Sequence, residues 1–175
     1  QCPEEYTVIR TWTATDECGN ASSCIQTIQV EDNTPPGLVC PPDITVECIE
    51  DVPAPDPGLV SATDNCDTEV EVVFVGDELS VGTCPLIITR TYRGVDNCGN
   101  FAECVQTITV DDTTPPVVTC PDDIAAECGD LIPLEDATAT DNCDPDVEIT
   151  EEQELVFGDC PQESTLVRTF TATDD

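Results

Sequence analysis

Eighteen residues at 31–48, EDNTPPGLVCPPDITVEC, return as DDTTPPVVTCPDDIAAEC at 111–128, a shift of 80 positions. The same shift relates TDECGNASSCIQTIQV (15–30) to VDNCGNFAECVQTITV (95–110), and ATDNCD at 62–67 recurs 77 positions later at 139–144. A period of this length constrains the fold more than composition does, because each copy has to be one structural unit that stacks on its neighbours. The register divides the chain into the C-terminal part of one unit at 1–33, a complete unit at 34–113 and the N-terminal part of a further unit at 114–175. The opening residues QCPEEYTVIRTW read as the middle of a unit. The expectation is a window from a longer secreted chain.

Inside the complete unit the apolar period is two. Ile44, Val46 and Cys48 share one face of DITVEC; Val70, Val72 and Phe74 share one face of VEVVFV; Ala102, Cys104, Ile108 and Val110 share one face of AECVQTITV. Such alternation predicts strands with one wet face, and no stretch carries a helical period. Pro53, Pro55, Pro57 and Gly58 predict an irregular connection between two strands. About seven short strands in about 80 residues predict an immunoglobulin-like β-sandwich, so the fold class is all-β, in tandem repeats.

Charge removes several classes of partner. With 38 acidic against 4 basic residues the net charge is -34, so a phosphate backbone or an anionic membrane surface is repelled. There is no apolar run of transmembrane length, and neither nucleic-acid binding nor membrane insertion is expected. Thirteen cysteines without a C-x-x-C pair and without histidine point to disulfides in an oxidising, extracellular setting rather than to metal thiolates. The sequence has no His or Lys and no G-x-S-x-G or H-E-x-x-H, so no enzyme is expected.

The combination of D-x-T-P-P-x-x-x-C-P-x-D-I (32–44), A-T-D-N-C (62–66) and D-x-C-G-N-x-A-x-C-x-Q-x-I-x-V (96–110) resembles the hyalin-repeat group of immunoglobulin-like domains, in its cysteine-rich bacterial version. The resemblance covers essentially the whole chain. It implies tandem stalk and adhesion modules of very large proteins at the cell surface or secreted. The chain departs from the simpler family pattern in carrying six cysteines per unit, which leaves their pairing to be argued separately.

Six cysteines allow fifteen pairings. If successive strands run down and up, Cys48 and Cys84 share one end of the sandwich while Cys40, Cys66, Cys98 and Cys104 share the other. A disulfide needs Cα atoms within about 7 Å, so the expected pairs are Cys48–Cys84, Cys40–Cys104 and Cys66–Cys98, with Cys128–Cys160 by repetition. Local closure, Cys98–Cys104 with Cys40–Cys48, is the alternative. Partners of Cys2, Cys18, Cys24, Cys120 and Cys143 are expected in the missing parts of the flanking units.

The same arrangement gathers acidic loops. Asp64, Asn65, Asp67, Asp96 and Asn97 should converge on Glu31, Asp32 and Asn33, while Asp141, Asn142, Asp144 and Asp174 should converge on Asp111 and Asp112. Carboxylate and amide oxygens without a counter-cation are the donors a hard ion such as Ca²⁺ takes, six to eight at about 2.3–2.6 Å. Asp and Asn are also ordinary turn formers, and an acidic surface solubilises. Arg10, Arg90 and Arg168 stand two residues before Trp12, Tyr92 and Phe170, hence facing partly inward, with Glu47 and Glu127 as candidate partners. Asn20 heads an N-x-S sequon, and Thr113 follows an aspartate in a short acceptor pattern, so both are candidate glycosylation sites.

The expected function is a structural shaft segment of an adhesin or surface filament, stiffened by disulfides, by the Pro-Pro linkers at 35–36 and 115–116 and by Ca²⁺ at the junctions. Its partners are then neighbouring repeats and other copies in a fibre. The alternative is an adhesion module that recognises a glycan or protein through cation-bearing loops.

Overall fold

Phe101–Val110 alternates exposed and inward residues along its length because every second side chain of a strand points to the same face. The computed structural model describes residues 5–82, 84–127, 130–159 and 163–174. It contains twelve strands: β1 (Tyr6–Thr15), β2 (Ala21–Val30), β3 (Gly37–Val39), β4 (Ile44–Val46), β5 (Ser61–Thr63), β6 (Glu71–Leu79), β7 (Leu86–Val95), β8 (Phe101–Val110), β9 (Val117–Thr119), β10 (Thr138–Thr140), β11 (Glu148–Phe157) and β12 (Ser164–Thr173). The proline-rich connection is more ordered than its composition suggests. It carries a 3-10 turn at Pro57–Leu59, which starts on a proline and is capped by Asp56, whose carboxylate accepts the Gly58 N–H at 2.9 Å.

The residues of the complete repeat form the two layers of an immunoglobulin-like sandwich. β3 pairs with β5 in one layer, and β4, β8, β7 and β6 lie in that order in the other. The layers meet closely where Leu38 of β3 lies over Gly94 of β7, since a Cβ at Gly94 would stand 2.6 Å from Leu38 Cδ2. Ile88 and Tyr92 of β7 and Ile108 and Val110 of β8 are the buried apolar residues of these central strands. Gln106 is buried in the same row of β8; its side-chain amide donates to the Pro42 carbonyl at 2.8 Å, so the polar group is satisfied. The Cys40–Cys104 bridge ties the end of β3 to β8, with Cα atoms 5.7 Å apart.

Arg90 also belongs to the inward row and is 3 % exposed. Its cross-strand neighbour on β6 is Asp77, which accepts from Nε and Nη2 at 2.9 Å each, while Nη1 donates to the Pro53 carbonyl at 2.7 Å. The guanidinium is thereby paired in a forked geometry, and the Asp77 hydrogen bonds raise its pKa. Glu47 is therefore not its partner. The equivalent Arg168 pairs with Glu151 and donates to the Glu135 carbonyl at 2.7 Å, rather than reaching Glu127. In both copies the acid comes from the facing strand: Asp77 stands directly opposite Arg90, whereas Glu151 stands opposite Phe170 and reaches Arg168 on the diagonal.

The aromatics in register with Tyr92 are less uniform than expected. Tyr92 is 1 % exposed, whereas Trp12 is 60 % exposed, because β1 pairs with β2 alone and no second layer covers that face among the described residues.

The chain condenses into two compact units that cut across the repeat register. One comprises Gln1–Ile44, Pro53–Leu79 and Ile87–Ile108; the other comprises Thr45–Val52, Ser80–Leu86 and Thr109–Asp175. Two loops of the complete repeat thus group with the linker and with the repeat that follows. Among the described residues no helix is long and apolar enough to cross a membrane.

Candidate metal centre and inter-repeat bridge

The D-x-C-G-N turn is built by its aspartate. Asp96 Oδ1 accepts the N–H groups of Cys98 and Asn100 at 2.9 and 2.8 Å, and Oδ2 accepts from the Asn100 amide at 2.9 Å. Gly99 has φ +89°, the left-handed conformation that favours glycine, and Gly19 repeats it at +87°. Burial works against ionisation of Asp96, but the hydrogen bonds from Asn100 and from the turn amides outweigh it and hold the pKa below the usual carboxylate range. Asn100 also donates to the Asp32 carbonyl at 3.2 Å, which fastens the incoming segment to the turn.

Asp64 opens the A-T-D-N-C-D loop in the same manner. Its Oδ1 accepts from the N–H groups of Cys66 and Asp67 at 2.9 and 3.0 Å. Asp32 Oδ1 accepts from Thr34 N–H at 3.1 Å. Both second oxygens, Asp32 Oδ2 and Asp64 Oδ2, are buried without a hydrogen-bond partner. Oxygens of Asp32, Asp64 and Asp96 lie within 4.8 Å of one another, and Asp32 and Asp96 are 5 % and 6 % exposed. An orphaned buried carboxylate oxygen is costly, and three carboxylates at this range repel unless a cation or proton joins them. No arginine does so: Arg90, Arg93 and Arg168 pair with Asp77, Glu103 and Glu151, and Arg10 has no ion pair among the described residues.

The next repeat builds part of the same geometry. Asp141 Oδ1 accepts from the N–H groups of Cys143 and Asp144 at 2.8 and 3.1 Å, which lowers its pKa, and Oδ2 is again buried and unpartnered. Asp112 and Asp141, the register equivalents of Asp32 and Asp64, approach within 4.8 Å together with Cys143. The Cys143 sulfur is engaged in a disulfide, so two carboxylates remain as ligands there.

The other candidate ligands fall outside these groups. Asp67 spends its oxygens on the Glu69 and Asn97 N–H groups, and Asp144 Oδ1 accepts from Asp146 N–H. The side-chain amides of Asn65 and Asn142 turn to the neighbouring sulfurs of Cys66 and Cys143. Glu31 and Asp174 are exposed, and Asp111 lies 3.8 Å from the Cys84 sulfur. What separates Asp32 and Asp64 from Asp67 and Asp144, which make the same Asx turns, is a second carboxylate oxygen that is buried and unpartnered.

The cysteines require a correction. Cys48 bonds Cys143 rather than Cys84, with Cα atoms 5.1 Å apart across a sequence separation of 95. Strand direction sorts the cysteines within one repeat and carries no information on loops delivered from the next. The linker at 111–116 instead brings the A-T-D-N-C-D loop of the following repeat to Cys48. Cys84 keeps an exposed thiol beside Asp111. Cys98 is disulfide-bonded, but Cys66 is not its partner, so the Cys66–Cys98 pair is also overturned. The local alternative, Cys98–Cys104 with Cys40–Cys48, is excluded by the Cys40–Cys104 and Cys48–Cys143 bridges. The expected Cys128–Cys160 bridge lies outside the described residues.

Glu47 serves the linker. It accepts from Thr113 N–H at 3.0 Å and from the Thr113 and Thr114 hydroxyls at 2.9 and 3.4 Å, and the first two of these contacts lead in depressing its pKa. A folded pKa below the unfolded value of about 4.3 gives stability that is present above that value and lost as pH falls through the lowered one. The Glu47 carboxyl resonance is expected to titrate below the normal glutamate range, and Thr113→Val, which removes the hydroxyl but keeps the backbone N–H, should move it part of the way back up; a midpoint unchanged by that substitution would show that the Thr113 hydroxyl does not reach Glu47. Asn20, the other glycosylation candidate, is exposed and donates to Asp16 at 2.8 Å.

These features define an all-β, immunoglobulin-like sandwich with disulfides both inside a repeat and between successive repeats. Residues 39–110 match the family model of the HYR-like domain with 4 cysteines. The chain is 35% identical over 135 residues to hyalin of Lytechinus variegatus, covering 70% of this chain and 24% of that protein. It is 35% identical over 123 residues to hyalin of Strongylocentrotus purpuratus, covering 63% and 10%. The chain thus spans about a quarter and about a tenth of these relatives. Both come from sea urchins and give the bacterial attribution no support. No solved structure matches.

Proposed function

We propose that this chain is a structural segment of a large extracellular repeat protein, a shaft whose successive repeats are locked to one another by disulfides and by Ca²⁺ at the acidic loops. The Cys48–Cys143 bridge carries this reading, because a covalent bond 95 residues long in sequence joins one repeat to the next and transmits load past the intervening chain. Its chemistry suits an oxidising extracellular medium. Reductant should therefore lengthen the fully stretched molecule by at least about 310 Å, the reach of the released loop at about 3.3 Å per residue. Single-molecule pulling measures this, and equal contour lengths with and without reductant would refute a load path through the bridge.

The cation part rests on Asp32, Asp64 and Asp96. Hard carboxylate oxygens, two of them buried and unpartnered, fit Ca²⁺, with solvent completing the shell. When bound, the ion neutralises the mutual repulsion of the three acids; the chain supplies the Asx turns that aim them. At a hundredfold excess over Kd, Ca²⁺ should stabilise the fold by about 2.7 kcal/mol. The thermal midpoint is expected to rise with Ca²⁺ in the parent chain and to rise much less in Asp32→Asn/Asp64→Asn. A midpoint indifferent to chelation removes the cation while leaving the covalent shaft intact.

A further inference from the structure

We infer that two copies of this chain join by strand donation: β2 of one copy enters the open groove beside β12 of the other, and a Cys24–Cys120 disulfide locks it there. The inference goes beyond the shaft reading and needs neither its inter-repeat bridge nor Ca²⁺.

The complete repeat shows what such a groove holds. There β8 lies between β4 and β7. Three anchors fasten it to the segment at 40–46: the Cys40–Cys104 bridge, the Gln106 amide on the Pro42 carbonyl at 2.8 Å, and the Thr107 N–H on the Asp43 carboxylate at 2.7 Å. Gln106, Ile108 and Val110 are buried in that position.

In the repeat that follows, the place of β7 is taken by β12, which has a strand on one edge only, β11, among the described residues. Residues 124–126, the register equivalents of β4, form no strand. Between them and β12 lies an open cavity of about 630 Å³, lined by Cys120 and Ile124 from the first segment and by Leu166, Arg168 and Phe170 from the strand. Ile124 and Leu166 are left exposed.

β2 carries the side chains that this groove takes. In the 80-residue register Cys24, Gln26, Thr27, Ile28 and Val30 repeat Cys104, Gln106, Thr107, Ile108 and Val110, while Cys120 and Asp123 repeat Cys40 and Asp43. Both halves of all three anchors are therefore present: Cys24 for Cys120, the Gln26 amide for the Asp122 carbonyl, and the Thr27 N–H for the Asp123 carboxylate. Yet Cys24 and Cys120 are exposed free thiols, and Gln26 is exposed where Gln106 is buried.

The exchange gains more than it gives up. β2 pairs with β1 over ten residues, and pairing with the ten residues of β12 replaces that ladder by an equal one. β1 has no buried residue to lose, whereas the apolar walls of the groove leave water. β2 has no charged side chain, so the strand itself adds nothing to the repulsion between two chains of net charge -34. Each copy offers one donor strand and one groove, so the contact is heterologous and runs on from copy to copy or closes into a ring. The bond forms by thiol–disulfide exchange. The Cys24 and Cys120 thiols lose two protons and two electrons as their sulfurs join, and a small external disulfide takes these up to become two thiols.

The test mixes two variants of the 175-residue chain, Cys24→Ser and Cys120→Ser, in a glutathione redox buffer. Each alone lacks half of the bridge and should run as a monomer on a non-reducing gel. Together they should give a covalent dimer in which peptide mapping finds Cys24 of one variant linked to Cys120 of the other. Adding Ile28→Asp to the donor should abolish that dimer, and raising the ionic strength should shift the parent chain to higher mass in light scattering, because salt screens the repulsion between copies. A mixture with no more dimer than either variant forms alone, or a Cys24–Cys120 link found within monomers of the parent chain, would overturn the inference. The Cys48–Cys143 pair, scored in the same peptide map, reports separately on the shaft reading.

Discussion

Replacing both partners of the internal bridge, Cys40→Ala/Cys104→Ala, is expected to destabilise the sandwich by roughly 4 kcal/mol. The bond closes a loop with a sequence separation of 64, and the chain-entropy relation gives about that value for such a loop. The double substitution avoids leaving a lone thiol to mispair. At about 4–8 °C per kcal/mol for a domain of this size, the thermal midpoint should fall by more than about 15 °C. The bridge is this costly to lose because a repeat of about 80 residues buries little surface. A fall of only a few degrees would mean that the unfolded chain is already restrained by other bonds, and repeating the melt in reductant would reveal them.

Tyr92→Ala should be comparably severe, at about 3–5 kcal/mol, the range for truncating a buried aromatic. Tyr92 is 1 % exposed on central strand β7, and its ring meets Phe74 edge-on at a centroid distance of 6.2 Å. Its hydroxyl accepts the Asp56 N–H at 3.3 Å, which ties the proline-rich connection to the core. Tyr92→Phe isolates that hydrogen bond and should cost about 1 kcal/mol. Chemical denaturation of the three proteins measures both differences. If alanine and phenylalanine cost the same, the ring contributes little, and the row through Ile88, Arg90 and Tyr92 is not the centre of the core. The contrast with Trp12 gives an internal control, because Trp12→Ala at a 60 % exposed position should cost far less.

Much of the fold was legible in single residues. The alternation in AECVQTITV placed Cys104, Ile108 and Val110 inward, and the burial of β8 follows it. Arg90 was readable as inward-facing because it shares the parity of Tyr92 and Ile88. Its partner was not, because Asp77 becomes its neighbour through the antiparallel register of β6 with β7, which the local pattern does not encode. The acidic loops show the same division. The Asp, Glu and Asn residues of these loops looked equivalent by composition, yet three bring oxygens together in one group and two in the other. Asp67 and Asp144 were indistinguishable from Asp64 and Asp141 until the hydrogen bonds showed that Asp67 spends both oxygens on the Glu69 and Asn97 N–H groups, while Asp64 and Asp141 each keep one oxygen buried and unpartnered.

By itself the sequence determined the all-β class, the 80-residue period and the use of disulfides, because strand parity, recurrence and cysteine content are local or one-dimensional properties. Only the tertiary structure decided that Cys48 meets Cys143 and that Cys84 does not close its own repeat. Bond formation depends on Cα atoms coming within about 7 Å, and that distance is set by where a linker delivers the next loop. Two cysteines of one class carry the same local signal whether they join inside a repeat or across its boundary.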